Sequence, residues 1–248
     1  LNCIKSLRDI ILTEKIDIVH ARSRVPAWIA FFACRKTPAE FLTTCHGYYS
    51  KHFFSEIMGW SKLIIVPSQV IGRHMVDDFK VQAENVRCIP RSVDLQRFAP
   101  ASLARDPAAA LLVKASPVIS IVGRITPLKG HTYFLRAMAQ VLRKMPQVKI
   151  WIIGDVPAGK ETYRAELQVL VRRLGLSDSV EFLGTRRDVP QLLAKTDLLV
   201  MTSIVPEAFG RVILEAQAAG VPVVATSVGG VVEIIDHEKT GLLVLQKD

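Results

Sequence analysis

Two glutamates near the carboxyl end of the chain have the most informative spacing in the sequence. Glu207 and Glu215 stand eight residues apart. Good helix formers follow Gly210, and Gly220 is a typical helix stop, so this segment predicts a loop that runs into a helix. Glu207 then lies in the loop just before the helix, and Glu215 lies about one and a half turns inside it.

The start of this helix is a predicted anion site. The first turn of a helix leaves backbone N–H groups without acceptors, and those around Phe209, Gly210 and Arg211 lie between the two carboxylates. Such a terminus attracts anions, and phosphate above all. The flanking carboxylates would repel a phosphate but suit the hydroxyls of a sugar or a ribose. The segment therefore predicts a ligand with phosphate in the middle and polyol at both ends, which is the layout of a nucleotide-sugar.

This arrangement resembles the E-x7-E element of the retaining family 4 glycosyltransferases, which have the GT-B fold. That fold is α/β, with two Rossmann-like doubly wound domains facing across a cleft. Four further elements, in the same chain order as in the family, extend the resemblance over most of residues 41–241. They lie at residues 44–47, 89–94, 122–124 with 129–130, and 220–226 with 229–230.

The resemblance implies transfer of a sugar from a nucleoside diphosphate sugar to a hydroxyl acceptor, with retention at the anomeric carbon. It implies that Glu207 holds donor-sugar hydroxyls and Glu215 the ribose hydroxyls. Arg124, Lys129 and the helix start would stabilise the leaving diphosphate. His46 would reach the donor sugar from the opposite domain. No protein nucleophile, cofactor or obligatory metal is expected.

The candidate site residues fall into two groups, and each has a plainer structural interpretation. The catalytic candidates are Glu207, Arg124, Lys129 and His46. The substrate-binding candidates are Glu215, Gly123, Phe209, Gly210 and Arg211. The acids could merely complement the helix dipole or face solvent, and the cations could be surface charges. A lone histidine after a strand is usually structural or solvated.

The elements that must position these residues follow from hydrophobic periodicity. Strand and helix patterns alternate along the chain, and apolar strands with helical crossovers predict parallel, doubly wound sheets. In such sheets, ligands bind beyond the carboxyl ends of the strands. Strands are predicted near 17–20, 41–44, 63–66, 86–89, 118–122, 148–153, 180–182, 198–201, 223–225 and 242–245. Helices are predicted at the amino end of the chain and near 25–34, 70–79, 132–144, 161–174, 189–194, 211–219 and 231–235.

The domain organisation is predicted from the same pattern. Residues 1–97 read as a partial N-terminal, acceptor-side Rossmann-like domain. The Ala- and Pro-rich residues 98–116 read as a linker. Residues 117–248 read as the nucleotide-sugar-binding domain. The chain opens directly in a helix and stops after a strand, where the family has further elements, so we interpret it as a fragment lacking both ends.

Composition favours a soluble, cytoplasmic enzyme. Of the 248 residues, 50% are hydrophobic, and the formal net charge of +9 is spread along the chain without a Lys/Arg block. This pattern argues against nucleic-acid binding and suits a phosphorylated substrate or peripheral contact with an anionic membrane. The four cysteines lack metal-ligand spacing, and the apolar runs are too short to span a bilayer. The sequence contains no G-x-S-x-G turn, and no G-x-G-x-x-G follows a predicted strand.

Two alternatives to a transferase stay open at the level of sequence. One is an inactive nucleotide-sugar-binding module of the same descent. The other is a different GT-B nucleotide-sugar enzyme, such as an epimerase. By resemblance, the acceptor is expected to be a glycan or a lipid-linked sugar in cell-surface glycan or lipopolysaccharide synthesis.

One departure from the family pattern concerns Arg91 and Ser92. Many family members have Asn-Gly at this position, which permits positive φ in a tight turn. Arg-Ser does so less easily. Either the turn differs, or Arg91 faces the cleft and contacts an anionic donor or acceptor.

Overall fold

The computed structural model describes residues 2–98 and 116–247, and these form two compact units. The first unit ends at Arg91 and the second begins at Ser92. This boundary falls earlier than the predicted one, because Val93 packs against the core of the second unit and Phe98 is buried within it. Most of the predicted linker at 98–116 lies outside the described residues.

The first unit is built on a parallel four-stranded sheet in the order β1-β2-β3-β4. Its strands are β1 Ile18–Ala21, β2 Glu40–Thr44, β3 Leu63–Val66 and β4 Val86–Cys88. Its helices are α1 Asn2–Thr13, α2 Arg24–Cys34, α3 Phe53–Glu56 and α4 Gln69–Phe79. Short 3-10 turns lie at Ile57–Gly59 and Ala83–Asn85.

Buried apolar side chains of β3 and α4 form the centre of the first unit. Ile64 and Val66 of β3, and Ile71 and Met75 of α4, are fully buried. The polar Thr43 of β2 is also buried, but its hydroxyl donates to the Met58 carbonyl at 2.7 Å. A buried hydroxyl that is hydrogen-bonded in this way avoids the cost of an unsatisfied polar group.

The second unit contains a parallel six-stranded sheet in the order β10-β9-β8-β5-β6-β7. Its strands are β5 Val118–Val122, β6 Lys149–Ile153, β7 Val180–Gly184, β8 Leu198–Met201, β9 Val223–Thr226 and β10 Leu242–Val244. Its helices are α5 Leu95–Phe98, α6 His131–Lys144, α7 Glu161–Arg173, α8 Val189–Lys195 and α9 Arg211–Ala218. Short 3-10 turns lie at Pro127–Lys129 and Gly230–Glu233.

Strand order reverses at β5. The chain adds β6 and β7 on one side of β5, then returns to place β8, β9 and β10 on the other side. The gap between the carboxyl ends of β5 and β8 is therefore the topological switch point, where open α/β sheets bind ligands. The residues that follow these two strands must lie at this point.

Each face of the second sheet is covered by its own core. Ile119 of β5 packs with Phe134 of α6 in one core. Leu199 of β8 packs with Ile213 of α9 in the other, whereas the adjacent Val200 turns to the first core. Burial on both faces explains why these strands read as continuous apolar runs rather than alternating ones. The predicted doubly wound α/β fold is confirmed.

A few local elements differ from the sequence prediction. The helix expected at 231–235 is the 3-10 turn Gly230–Glu233. The short helices α3 and α5 were not predicted, because four residues are too few to display a helical period. The expected strand at 86–89 ends at Cys88.

Gly130 provides a test of how tightly the second unit is packed beside β8. It has a φ of 70°, and a Cβ at this position would lie 1.9 Å from the Thr202 carbonyl oxygen. Gly175 has nearly the same φ, 71°, but open space around it. We expect Gly175→Ala to lower the free energy of unfolding by about 1 kcal/mol, the cost of a left-handed alanine. Gly130→Ala should lower it by about 3 kcal/mol, because backbone must also move.

Urea unfolding of the two variants and the wild type measures this difference, with Gly175→Ala as the control for backbone conformation. Equal losses in the two variants would show that the approach of Gly130 to Thr202 is not a constraint on the fold.

Candidate functional site

A cavity of about 670 Å³ lies at the switch point of the second unit. It is bordered by the ends of β5 and β8, the 3-10 turn after β5, the segment around α5 and the start of α9. Its lining residues are Ser92, Val93, Asp94, Arg97, Phe98, Val122, Gly123, Arg124, Lys129, Val189, Met201, Glu207, Gly210, Arg211, Val212 and Glu215. Most of the candidate residues predicted from the sequence thus lie around one cavity.

Two of the candidates lie elsewhere. Phe209 is buried, and it lies in the loop between Glu207 and the cavity-lining Gly210. His46 belongs to the first unit. The predicted cleft containing His46 together with Glu207 stays a prediction.

The loop after β8 is tied to the turn that carries Lys129. The Thr202 hydroxyl donates to the Lys129 carbonyl at 2.9 Å. The Ile204 N–H donates to the Leu128 carbonyl at 3.0 Å. Because side-chain and backbone donors from the loop after β8 hold Leu128 and Lys129, the Lys129 side chain starts from a defined position.

On its other side, the same loop is packed against the turn after β9. The Gly230 N–H donates to the Glu207 carbonyl at 2.7 Å. A Cβ on Gly229 would lie 2.2 Å from the Glu207 carbonyl oxygen, and a Cβ on Gly230 would lie 2.6 Å from the Ala208 carbonyl oxygen. Only glycine permits this approach. The Gly-Gly pair in the sequence therefore fixes the backbone of Glu207.

Glu207 has two polar partners, one of which is another candidate residue. Its Oε1 accepts from Lys129 Nζ and from the Ser203 hydroxyl, and its side chain is only 17% exposed. Ser203 is itself fully buried, and its carbonyl accepts from the Thr226 hydroxyl at 2.7 Å. The carboxylate is thus oriented, and the charge of Lys129 is compensated within the protein.

The charge of Arg124, unlike that of Lys129, is not compensated by a carboxylate in the described part of the chain. It is exposed at the cavity edge and forms no ion pair within residues 2–98 and 116–247. The adjacent Gly123 has a φ of 152°, and space around its Cα is open. Arg124 is therefore a cation whose charge is available to an anion in the cavity.

Helix α9 begins at the cavity, as the sequence predicts. Gly210 precedes it with a φ of 98°, and Gly220 follows its last turn with a φ of 68°. Both conformations favour glycine. The first-turn N–H groups, which have no acceptors inside the helix, create a positive end next to Arg124 and Lys129.

Glu215 is paired with a residue of its own helix. Arg211 Nε lies 3.0 Å from Glu215 Oε1, and the Glu215 side chain is 14% exposed. Burial raises the pKa of Glu215, while Arg211 opposes the rise. This carboxylate at the cavity wall is desolvated before any ligand binds.

His46 follows β2 in the first unit and has two arginine neighbours. Arg22 Nε lies 3.1 Å from His46 Nε2, and Arg91 Nη2 lies 2.7 Å from His46 Nδ1. Burial and the positive charges of Arg91, Arg22 and His20 lower the pKa of His46 to about 4. The imidazole is therefore neutral at neutral pH.

The turn at Arg91 and Ser92 has negative φ at both residues, since neither is among the described residues with positive φ. The chain thus does not need the conformation that Asn-Gly favours here. The contact between Arg91 and His46 was not predicted.

Sequence reasoning missed Ser203, Thr202 and Arg22. Ser203 and Thr202 directly follow the apolar strand β8, and polar residues at a strand end were a usable signal. Arg22 follows β1 in the same way. By contrast, no sequence signal indicates that Asp155 pairs with Arg164 at 3.0 Å.

Residues 2–98 and 116–247 present neither of two other kinds of site. No group of three or more His, Cys, Asp or Glu side chains among them is placed to hold a metal ion. Among the same residues, no helix combines the length and apolarity needed to cross a membrane.

The fold and the cavity define a doubly wound α/β protein with a polar site at its switch point. The chain belongs to the group 1 glycosyl transferases: the model for "Glycosyl transferases group 1" matches residues 104–248. The model for "Glycosyltransferase Family 4" matches residues 1–97. The family resemblance seen in the sequence is confirmed.

Similar curated proteins include enzymes named D-inositol 3-phosphate glycosyltransferase. The one from Segniliparus rotundus is 33% identical over 193 residues, which cover 76% of this chain and 42% of the relative. The one from Salinispora arenicola is 36% identical over 183 residues, which cover 68% of this chain and 40% of the relative. The chain thus spans about two fifths of the length of these relatives.

Similar solved structures have the same fold. A glycosyltransferase from Rickettsia africae ESF-5 is 30% identical with a TM-score of 0.87, covering 100% of this chain and 67% of that protein. Alr3699/HepE from Anabaena, in complex with UDP, is 28% identical with a TM-score of 0.85, covering 99% and 68%. The Anabaena protein was also solved with UDP-glucose.

Burial raises the pKa of Glu215, and this shift predicts how the residue affects the free energy of unfolding. A raised carboxyl pKa means that folding disfavours the charged form. The resulting loss of stability is complete when the pH lies above the pKa of Glu215 in the folded protein. It disappears as the pH falls below the ordinary pKa of a carboxyl group in the unfolded chain. We expect Glu215→Gln, without ligand, to be at least as stable as the wild type at neutral pH, with this advantage lost in acid.

Thermal unfolding at neutral and acidic pH measures the difference between variant and wild type. Glu166→Gln, which removes an exposed carboxylate on α7, is the control. A clear loss of stability in Glu215→Gln at neutral pH would mean that the pair with Arg211 outweighs the burial cost.

Proposed function

We propose that this chain belongs to a glycosyltransferase that moves a sugar from a nucleoside diphosphate sugar to a hydroxyl acceptor with retention of anomeric configuration. The observation that carries the proposal is the switch-point cavity, where two carboxylates, Arg124, Lys129 and a helix start surround one space. The binding of UDP and UDP-glucose by the similar Anabaena protein supports it.

The diphosphate of the donor would bind in the centre of this cavity. The start of α9 and Arg124 offer a partial and a full positive charge there. As the sugar departs, negative charge grows on the leaving diphosphate, and positive groups already in position stabilise this charge without reorganisation. We propose that these protein charges are sufficient without an obligatory metal and that no protein nucleophile takes part.

Glu215 would bind the ribose. It lies inside α9, beyond the helix start, where only the nucleoside side of the ligand reaches. Its pairing with Arg211 and its low exposure give it a fixed direction. A ribose would supply two hydroxyl donors to a carboxylate that has lost most of its water, which favours binding.

Glu207 would bind hydroxyls of the transferred sugar. Its partners Lys129 and Ser203 leave its second carboxylate oxygen for a ligand hydroxyl. Lys129 then bridges the sugar site and the phosphates, since its three N–H donors allow it to keep Glu207 while contacting a phosphate. His46, as a neutral imidazole, would approach the donor sugar from the first unit.

The acceptor would be a polyol, a glycan or a lipid-linked sugar. We place the reaction in cell-surface glycan or lipopolysaccharide synthesis, at the cytoplasmic side of the membrane with peripheral contact to anionic lipid. The positive net charge of the chain, +9, favours both phosphorylated substrates and such a surface.

A donor-hydrolysis and transfer assay on the complete gene product tests this function. Release of nucleoside diphosphate that depends on Arg124 and Glu207 is expected. Binding of a nucleotide-sugar without any turnover would instead indicate an inactive binding module, and interconversion of the sugar without its release would indicate an epimerase.

The difference between Arg124 and Lys129 predicts different effects of their removal. Because Arg124 has no ion-pair partner in the described chain, Arg124→Ala should weaken UDP binding by about 2 kcal/mol, or roughly thirtyfold. Lys129→Ala should weaken UDP less, since the lysine is already paired with Glu207. Both variants should reduce transfer more than binding, because charge grows on the leaving group.

Calorimetry with UDP measures binding, and initial rates of the complete enzyme measure transfer. Arg172→Ala removes an exposed arginine of α7 that does not line the cavity and is the control. Unchanged UDP affinity and unchanged transfer rates in Arg124→Ala would show that this residue does not bind the diphosphate.

Substitutions of Glu215 and Glu207 should have different effects on the binding of UDP and of the complete donor. Glu215→Gln should weaken UDP and the complete donor by the same factor, because both contain the ribose. Glu207→Gln should keep or increase UDP affinity, since Lys129 loses its partner and becomes available to the diphosphate. The same variant should lose most of the additional affinity that the sugar supplies and most of the turnover.

Calorimetry with UDP and UDP-glucose on both variants measures this division. The double variant Lys129→Ala/Glu207→Gln completes a cycle that isolates the coupling between the two side chains. If Glu207→Gln weakens UDP as much as it weakens UDP-glucose, the carboxylate supports the helix start rather than the sugar.

A further inference from the structure

Arg97 lines the switch-point cavity, but the proposed reaction gives it no role. It lies in α5, a helix of only four residues in the second unit. Asp94 precedes this helix, and its Oδ1 accepts from the Arg97 backbone N–H at 3.1 Å, as an N-cap residue does. The next residue, Phe98, is buried in the core beside Leu193. The cap and the buried ring together hold the backbone of Arg97 at the cavity wall.

Two contacts fix the direction of the Arg97 side chain. Its Nη2 donates to the carbonyl of Arg187, just before α8, at 3.3 Å. Its guanidinium also lies over the Phe98 ring, 5.6 Å from the ring centre, where the aromatic face attracts a cation. Arg97 is exposed, but its guanidinium is already oriented before a ligand binds.

Arg97 forms no ion pair with a carboxylate of residues 2–98 and 116–247. Its charge does act on Glu215: burial raises the pKa of this carboxyl group, and Arg211 and Arg97 oppose the rise. Glu215 itself is paired with Arg211. A guanidinium has five N–H donors, and the Arg187 carbonyl takes one of them. Donors of Arg97 are therefore left for a ligand.

The neighbours of Arg97 indicate which part of the donor it meets. In the proposed function, the phosphates lie at Arg124 and the start of α9, and the ribose lies at Glu215. The contacts of Arg97 within the described chain lead to the turn before α8, and none leads to Arg124 or Lys129. In a nucleotide, the base and the phosphates leave the ribose at different carbons. A ribose at Glu215 therefore brings the base, rather than the diphosphate, to Arg97.

The cavity wall near Arg97 also contains apolar side chains. Val93 and Phe98 lie close to Arg97 in the chain, Val189 follows Arg187 by two positions, and all three line the cavity. Apolar walls with a few oriented polar groups are typical of sites for small organic ligands. Such a wall suits the faces of a planar base, and the guanidinium suits its polar edge.

We propose that Arg97 selects the base of the donor by donating a hydrogen bond to a carbonyl oxygen of that base. Uracil and guanine carry such an oxygen, whereas adenine carries an amino donor instead. A guanidinium has no acceptor, so it cannot pair with an amino group. The inference rests on the proposed function and adds the class of donor: a nucleotide whose base has a carbonyl oxygen.

Calorimetry of the complete gene product with UDP, GDP, ADP and inorganic pyrophosphate tests this selection. The wild type should bind UDP or GDP about tenfold more tightly than ADP. Arg97→Ala should weaken that nucleotide about tenfold, as expected for loss of one charge-assisted hydrogen bond. ADP and pyrophosphate should keep their affinities, so the preference disappears. Gln96→Ala, an exposed neighbour in α5 that does not line the cavity, is the control.

Arg97→Lys separates the hydrogen bond from the charge. Lysine keeps the positive charge but has a single nitrogen in place of the planar fork, so it cannot hold the Arg187 carbonyl and reach the base in the same way. This variant should bind pyrophosphate like the wild type without recovering the preference for UDP or GDP over ADP. Unchanged ADP affinity in both Arg97 variants would show that the cavity is intact.

Three outcomes would overturn the inference and leave the proposed function standing. These are unchanged affinity of Arg97→Ala for UDP and GDP, equal weakening of all four ligands, and a full preference for UDP or GDP in Arg97→Lys. Equal weakening would mean that Arg97 supports the cavity or meets the phosphates, and a preference kept by lysine would mean that charge alone is sufficient. Absence of nucleotide binding by the wild type would contradict the proposed function, and the inference with it.

Discussion

The close approach of backbone segments around the loop of Glu207 is the constraint on which the candidate site depends. Gly130 lies against Thr202 on one side, and Gly229 and Gly230 lie against Glu207 and Ala208 on the other, at distances that exclude any Cβ. These contacts fix the turn of Lys129 and the loop of Glu207 relative to each other. The side chains of Lys129 and Glu207 meet because these contacts hold their two backbone segments side by side.

The two units use charge in opposite ways. In the second unit, opposite charges are paired before a ligand arrives, as in Lys129 with Glu207 and Arg211 with Glu215. Such pairs orient the side chains and limit the reorganisation needed on binding. In the first unit, two arginines lie beside one neutral histidine, whose ring has a single accepting nitrogen. An oriented pair of opposite charges suits a ligand that has both phosphates and hydroxyls.

Much of the fold could be predicted from the sequence, because the strands are buried on both faces and therefore read as apolar runs with helices between them. Helix α9 shows why the prediction was accurate: Gly210 and Gly220 bound it with positive φ, so its ends follow from local conformational preference. Elements without such signals were missed. The short helix α5 is one, since it is held by the burial of Phe98 among residues far away in sequence.

The sequence by itself determined the doubly wound architecture, the family, and the placement of Glu207 before α9 and Glu215 within it. These depend on local periodicity and on residues close together in the chain. Only the tertiary structure decided which side chains meet. Lys129 and Glu207 are 78 positions apart, and His46 and Arg91 are 45 apart. Partners at such separations are set by strand order and by backbone packing at glycines, and neither leaves a periodic signal in the sequence.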